Sequence, residues 1–204
     1  AGGAESMSRA PYALPAARWG QKMGDTKAAD MMTGALTCPF GTGHMGVTAE
    51  NVAREHGISR ADQDAFALES QARAARAIAE GRFRDQIVPV EVPSRKGAVL
   101  FDTDEHPKAT TAEALAGLKT VFQNDGTVTA GNASGINDGA AALVLARADA
   151  AEKEGLSPRA RILGYAHAGV RPDVMGIGPV PAVQALLARP GLTAGDFDGI
   201  DSNE

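Results

Sequence analysis

The chain has 204 residues, 44% of them hydrophobic, which supplies a core for one substantial domain or parts of two. Aromatic residues make up only 4%, so packing must rest on small aliphatic contacts and close approach of elements. A formal charge of -5 gives no reason to expect nucleic acid or an anionic membrane, the single cysteine excludes an internal disulfide, and no stretch of about 18 apolar residues is present to span a bilayer.

In chain order, residues 1–6 are predicted to end a buried strand that turns outward. Residues 9–40 are rich in Pro, Gly and Met with weak periodicity, and are expected to form loop and short helices. Residues 48–55 have helical spacing, with Gly57 placed as the C′ residue. Ser59 is predicted to N-cap a longer helix to about residue 80, in which Ala61, Ala65, Leu68, Ala72, Ala75 and Ala79 recur at three- and four-residue steps until Gly81 stops it. Residues 86–92 and 98–102 alternate β-formers with polar residues around an SRKG turn, a hairpin pattern in which Pro89 confines one strand to an edge.

Thr110 and Glu113 fit the capping box of a short helix running to Lys119. Residues 140–146 form a continuous apolar run, as in a strand buried on both faces, and residues 148–154 read as a helix closed by Gly155. Pro158 marks a domain boundary. Beyond it a strand at 160–167, a helix at 181–189 with proline in its first turn and a strand at 197–203 spell a βαβ unit.

Residues 126–142, GTVTAGNASGINDGAAA, combine glycines with short polar side chains. Glycine lets a backbone approach a ligand closely, and Thr127, Thr129, Asn132, Ser134 and Asn137 offer groups that could orient one. A tight loop that satisfies its own polar groups is the alternative. Three further segments stand beside it: AGGAESMSRAP at 1–11, GHMGVTAENVA at 43–53 and MGIGPVPA at 175–182. In this order the four resemble the thiolase family, nearest its bacterial biosynthetic and β-ketothiolase branch, and the final Asn203 and Glu204 are similar to the start of the family's Asn-Glu-Ala-Phe motif.

The resemblance implies an α/β, thiolase-like fold, present in part. Residues 1–5 would end the N-terminal thiolase half, 6–136 would form an inserted loop domain that binds coenzyme A, 137–157 would return to the N-terminal half and 158–204 would begin the C-terminal half. It implies an acyl-CoA C-acyltransferase that condenses acetyl-CoA with an acyl-CoA, or cleaves a 3-ketoacyl-CoA, through an acyl-cysteine. Acyl-CoA thioesters are then substrates, with no cofactor and no metal, in fatty acid metabolism or polyhydroxyalkanoate precursor synthesis. The family's nucleophilic cysteine falls upstream of Ala1, and its Gly-His-Pro histidine and second cysteine fall downstream of Glu204. The 204 residues alone are therefore expected to be an inactive coenzyme A-binding or assembly piece of an active enzyme.

Residue by residue, His44 and Met45 match positions beside the pantetheine arm and the reactive thioester. Ala130 and Gly131 would let the arm pass the main chain, and Ser134 matches a serine that contacts its amide. Lys108 stands where many relatives have an arginine facing the nucleotide end; lysine brings a charge for the 3′-phosphate without arginine's planar fork. Asn203 matches an asparagine that holds an oxyanion-hole water, together with the histidine at His44 or the downstream one, so Asn203 and His44 are the catalytic candidates. Cys38 lacks a neighbour in sequence that would activate it and is expected to be inert. The resemblance also implies a homodimer or homotetramer, residues 9–40 carrying the loop that links dimers, in a cytoplasmic setting without nucleic acid or membrane.

Overall fold

A computed structural model describes residues 1–188 and 191–202. In chain order the regular elements are β1 (Gly2–Ser6), β2 (Tyr12–Ala13), β3 (Ala29–Asp30), α1 (Met31–Ala35), β4 (Thr37–Cys38), β5 (Gly43–His44), α2 (Met45–His56), α3 (Arg60–Ala79), β6 (Val90–Val92), β7 (Val99–Phe101), α4 (Ala112–Ala116), β8 (Asp138–Ala142), α5 (Ala148–Lys153) and α6 (Pro179–Leu187). Short 3-10 turns occupy Met7–Arg9, Pro15–Trp19, Pro172–Ile177 and Ala194–Asp196. The strands pair antiparallel as β1 with β8, β2 with β3, β4 with β5 and β6 with β7.

The chain divides into two compact units, residues 1–52 with 136–204, and residues 53–135. In the first, β1 and β8 pair over five residues from Gly2 opposite Ala142 to Ser6 opposite Asp138. The ladder continues one step further, where the Leu143 N–H donates to the Ala1 carbonyl (2.6 Å) and the Ala1 nitrogen donates to the Leu143 carbonyl (2.7 Å). At its other end the Ser8 N–H and hydroxyl donate to the Asp138 carboxylate. Asn51 on α2 donates to the Asp173 carbonyl (3.0 Å), fastening α2 to the 3-10 turn that precedes α6 and buries Val174.

The second unit is built on α3. Its start carries a reciprocal cap: the Ser59 hydroxyl accepts from the Asp62 N–H, and the Asp62 carboxylate accepts from the Ser59 N–H. The preceding helix ends as its sequence predicts, because Gly57 takes φ +66° and lets the Ile58 N–H reach the Ala53 carbonyl (2.8 Å). The predicted hairpin is β6–β7, with Pro89 just outside the ladder, where its missing N–H costs nothing.

Several expectations change. The alanine stripe at 61, 65, 72, 75 and 79 is exposed, whereas Arg60, Gln63, Asp64, Ala67, Leu68, Gln71, Ala74, Ala77 and Ile78 form the covered stripe of α3. Alanines lie on every side of this helix, so apolar spacing does not fix its rotation; the polar bonds of Asp64 do. The second short helix is capped by Thr111 instead of Thr110 and closes at Ala116, where Gly117 returns its N–H to the Glu113 carbonyl. α6 begins at Pro179, two residues early, with proline in its first turn. β1 and β8 are exposed along their whole length and, among the described residues, pair only with each other, so neither is the buried strand expected. Residues 160–167 and 197–202 form no strand, since among the described residues none pairs with them; residue 203 of the second predicted strand lies outside the described residues.

Four aspartates, three of them exposed and Asp30 half-buried, have carboxyls held below the ordinary range by local donors. These are Asp62 by the Ser59 hydroxyl and then its N–H, Asp138 by the Ser8 hydroxyl and N–H, Asp30 by the Thr33 hydroxyl and then the Met32 N–H, and Asp196 by the Thr193 N–H and hydroxyl. A depressed folded-state pKa adds stability that is complete above the unfolded value and is lost as pH falls through the folded value. The melting temperature should therefore be flat from neutral pH to about pH 5 and fall below about pH 4. A melt series on Asp62→Asn with Asp138→Asn should show a shallower acid decline; an unchanged decline would contradict the assignment.

Candidate functional site

In the first unit, β4 and β5 place Thr37 opposite His44 and Cys38 opposite Gly43, and α2 starts at the next residue. The Met45 N–H donates to the Leu36 carbonyl (2.8 Å), locking the start of α2 to the residue that closes α1 just before β4. His44 is half-buried, and its Nδ1 accepts from the Gly46 N–H (3.0 Å). With Nδ1 accepting, the proton of a neutral ring sits on Nε2, which makes that atom a donor. Met45 is exposed, while buried Thr48 returns its hydroxyl to the Met45 carbonyl (2.8 Å).

The half-buried Cys38 sits on the same two-stranded ladder. Its pKa is lowered by the Thr42 hydroxyl, then by the Phe40 backbone, so the thiol is not as unassisted as its sequence neighbours suggest. The Thr42 Oγ1 is buried and has no conventional hydrogen-bond partner among the described residues. A cavity of about 460 Å³ opens nearby in the chain, walled by Met7, Met31, Met32 and Leu36, with Glu5 and Arg9 also on its lining. Methionine walls adapt to apolar groups of varied shape.

In the second unit, the glycine-rich loop is held from inside. Asn132 donates through Nδ2 to the Asp64 carboxylate (2.9 Å) and the Thr127 carbonyl (3.0 Å), and its Oδ1 accepts from the Thr129 N–H (2.7 Å). Thr129 is fully buried, its Oγ1 accepting from the Gly131 N–H (3.2 Å), and Gln63 on α3 donates to the Thr127 hydroxyl (2.9 Å). Thr127, Thr129 and Asn132 thus serve the loop itself, as the alternative reading allowed. Ala130 and Ser134 remain exposed. Gly131 has a packing reason for lacking a side chain: a Cβ there would lie 2.5 Å from Leu118 Cδ1 and 2.6 Å from Leu115 Cδ2.

Lys108 is exposed, and its backbone N–H donates to Gln71 Oε1 (2.9 Å). Gln71 lies seven residues beyond Asp64 on the covered stripe of α3, about 10 Å along the helix axis from the anchor of the glycine-rich loop. The structure therefore brings Ala130, Gly131 and Ser134 into one loop and seats Lys108 two turns along the helix that holds it. His44 and Met45 adjoin each other at the start of α2, and Asn203 lies outside the described residues. Arg60 and Asp64 are not legible as site residues in the sequence, because a charge on a helix signals a solvated face until its partners are known. Among the described residues no helix is long and apolar enough to cross a membrane, and no group of three or more His, Cys, Asp or Glu is placed to hold a metal ion.

Comparison with known proteins defines the class. The family profile described as thiolase, N-terminal domain, matches residues 1–149, and that of the thiolase C-terminal domain matches residues 156–204. The chain belongs to the thiolase family, and its fold is part of the α/β thiolase fold. Among its relatives, the beta-ketothiolase BktB of Cupriavidus necator is 59% identical over 205 residues, covering 100% of this chain and 52% of that protein. The acetyl-CoA acetyltransferase of Escherichia coli is 54% identical over 207 residues, again covering 100% of this chain and 52% of the relative. The crystal structure of human mitochondrial 3-ketoacyl-CoA thiolase superimposes with a TM-score of 0.91 at 47% identity, covering 97% of this chain and 50% of that one. A structure of that human thiolase in complex with CoA gives a TM-score of 0.90 at 46% identity, covering 97% and 49%. The chain spans about half the length of the curated relatives it matches.

Proposed function

We propose that these 204 residues are the coenzyme A-binding middle of an acyl-CoA C-acyltransferase. In the whole protein the acyl group would pass through a cysteine ester during condensation of acetyl-CoA with an acyl-CoA, or during cleavage of a 3-ketoacyl-CoA. The observation that carries this reading is the match of both thiolase profiles, in order, across nearly the whole chain. Relatives named as beta-ketothiolase and acetyl-CoA acetyltransferase cover all of it. The acyl-accepting cysteine would lie upstream of Ala1, with the activating histidine and second cysteine downstream of Glu204. We assign residues 1–5 and 137–157 to the N-terminal half, 6–136 to the inserted coenzyme A domain and 158–204 to the C-terminal half.

Within that domain the pantetheine arm would run past Ala130 and Gly131, with its amide at Ser134. Lys108, about 10 Å along α3 from the loop's anchor, would meet the 3′-phosphate, a spacing that suits an extended ligand. His44, with Nε2 as donor, and a water on Asn203 would face the thioester oxygen, where negative charge grows as the carbon becomes tetrahedral or enolate-like. Met45 would supply a soft apolar wall. The acyl-CoA is substrate throughout, and the chemistry calls for no metal or resident cofactor. We further assign the whole protein to the cytoplasm as a homodimer, or as a homotetramer whose dimers are linked through residues 9–40.

The phosphate assignment has its own test. In the full-length enzyme Lys108→Ala should raise the KM for acetyl-CoA and leave that for its 3′-dephospho analogue unchanged. The loss should be about 0.5 to 1 kcal/mol, since an exposed ion pair is weak and screened by salt. Equal effects on the two ligands would return Lys108 to an ordinary surface cation. The whole reading is tested by assaying the full-length gene product for coenzyme A-dependent cleavage of acetoacetyl-CoA, which it should catalyse.

A further inference from the structure

We propose that Asp64 is the positioning residue of the coenzyme A loop, fixing the backbone of residues 127–131 through Asn132. The inference rests on the coenzyme A reading above and adds to it a residue that would touch no part of the ligand.

The centre of the network is the amide of Asn132. Both of its donor directions and its acceptor are used at once, on Asp64, the Thr127 carbonyl and the Thr129 N–H. A flipped amide would aim its oxygen at a carboxylate and a carbonyl and its NH₂ at an N–H, so one orientation is selected. That orientation closes the turn over Thr129, and a bond from the Val121 N–H to the Val128 carbonyl (3.0 Å) pins the segment entering it.

Asp64 selects the amide orientation because its own position is over-determined. Its second oxygen accepts from Arg60 Nε (2.7 Å), and Arg60 Nη2 donates to the carbonyls of Leu115 (2.7 Å) and Leu118 (3.1 Å) at the end of α4. A cation at those carbonyls also suits the negative end of the short helix. Gly131 packs on the side chains of the same Leu115 and Leu118, so the carboxylate network and the apolar contact fix the loop against one point. An ion pair this well buried is a poor source of stability when compared with apolar side chains of equal volume. It gives instead a single loop conformation, with Ala130 and Ser134 exposed and the side chains of Thr127, Thr129 and Asn132 consumed.

The test uses the full-length protein and two conservative variants, Asp64→Asn and Asn132→Ala. Asp64→Asn keeps the volume but turns an acceptor into a donor facing Arg60. Hydrogen exchange in the ligand-free state should speed up at the Thr129 and Gly131 amides while mid-α3 amides keep their rates. In steady state the KM for acetyl-CoA should rise by about tenfold, with a much smaller change in kcat. Asn132→Ala should show the same pattern, and the double variant should be no worse than the single ones. Unchanged exchange at Thr129 and Gly131, uniform loss of protection across the unit, or a fall in kcat at constant KM would each overturn the proposal. If the unsubstituted protein shows no affinity for coenzyme A, the functional reading falls and takes this one with it. That result is distinct from coenzyme A binding equally to unsubstituted and substituted protein, which sinks the positioning role alone.

Discussion

Asp64→Ala should destabilise the chain by about 2 to 4 kcal/mol, because it leaves the Arg60 guanidinium and the Asn132 amide in a covered site without the carboxylate they share. The lower part of that range reflects Arg60, whose side chain keeps 24% of its exposure and recovers some hydration. Natural domains hold only about 5 to 15 kcal/mol of net stability, so the change would be large. It should appear as a lower denaturant midpoint at an unchanged slope. Removal of the surface pair Arg73–Glu69, 69% and 58% exposed, should do almost nothing in the same assay. A loss at Asp64 no larger than that at Glu69 would show that the network is ornamental.

Asn203→Ala in the full-length enzyme should lower kcat by roughly tenfold to a thousandfold with little change in thioester affinity. The proposed role of Asn203 is to hold a water at an oxygen that gains charge only on the way to the transition state. Its removal therefore leaves the ground-state complex intact. The rate is read under saturating substrate and the affinity by direct binding of a non-reacting thioester analogue. Weaker binding at an unchanged rate, or loss of the folded state, would leave Asn203 without a catalytic part.

The parts of the fold legible in the sequence are those decided within a few residues. Ser59 and Asp62 satisfy each other across one helical turn, Gly57 takes a left-handed backbone that few other residues accept, and the SRKG turn is flanked by β-formers on both sides. Each is a local choice with one favourable outcome. What escaped depends on distant partners. The face of α3 is ambiguous when alanines surround it, and its rotation is set by Asp64 bonding a residue 68 positions away. The apolar run 140–146 describes a strand that seeks cover, yet among the described residues only β1 pairs with its first part, and Leu143, Val144 and Leu145 are exposed.

The candidate site divides the same way. Long motifs announced His44, Met45 and Ser134 as residue types in order, and the thiolase profiles match the segments that contain them. The motifs could not reveal that Asn132 and Thr129 are consumed inside the loop, or that His44 Nδ1 is taken by the Gly46 N–H. Those facts depend on where a backbone N–H points once the turn has closed. Cys38 is a related case: no cation adjoins it in sequence, but Thr42, four residues on, lowers its pKa through its hydroxyl.

The central claim is that this chain belongs to an enzyme that carries its acyl group on a cysteine outside residues 1–204. Incubating the full-length gene product with isotopically labelled acetyl-CoA, quenching in acid and mapping the peptides by mass spectrometry tests it directly. One acetyl group per chain should be found in thioester linkage on a cysteine upstream of Ala1 and released by added coenzyme A. Label on Cys38, or a competent preparation that takes up no acetyl group, would contradict the account.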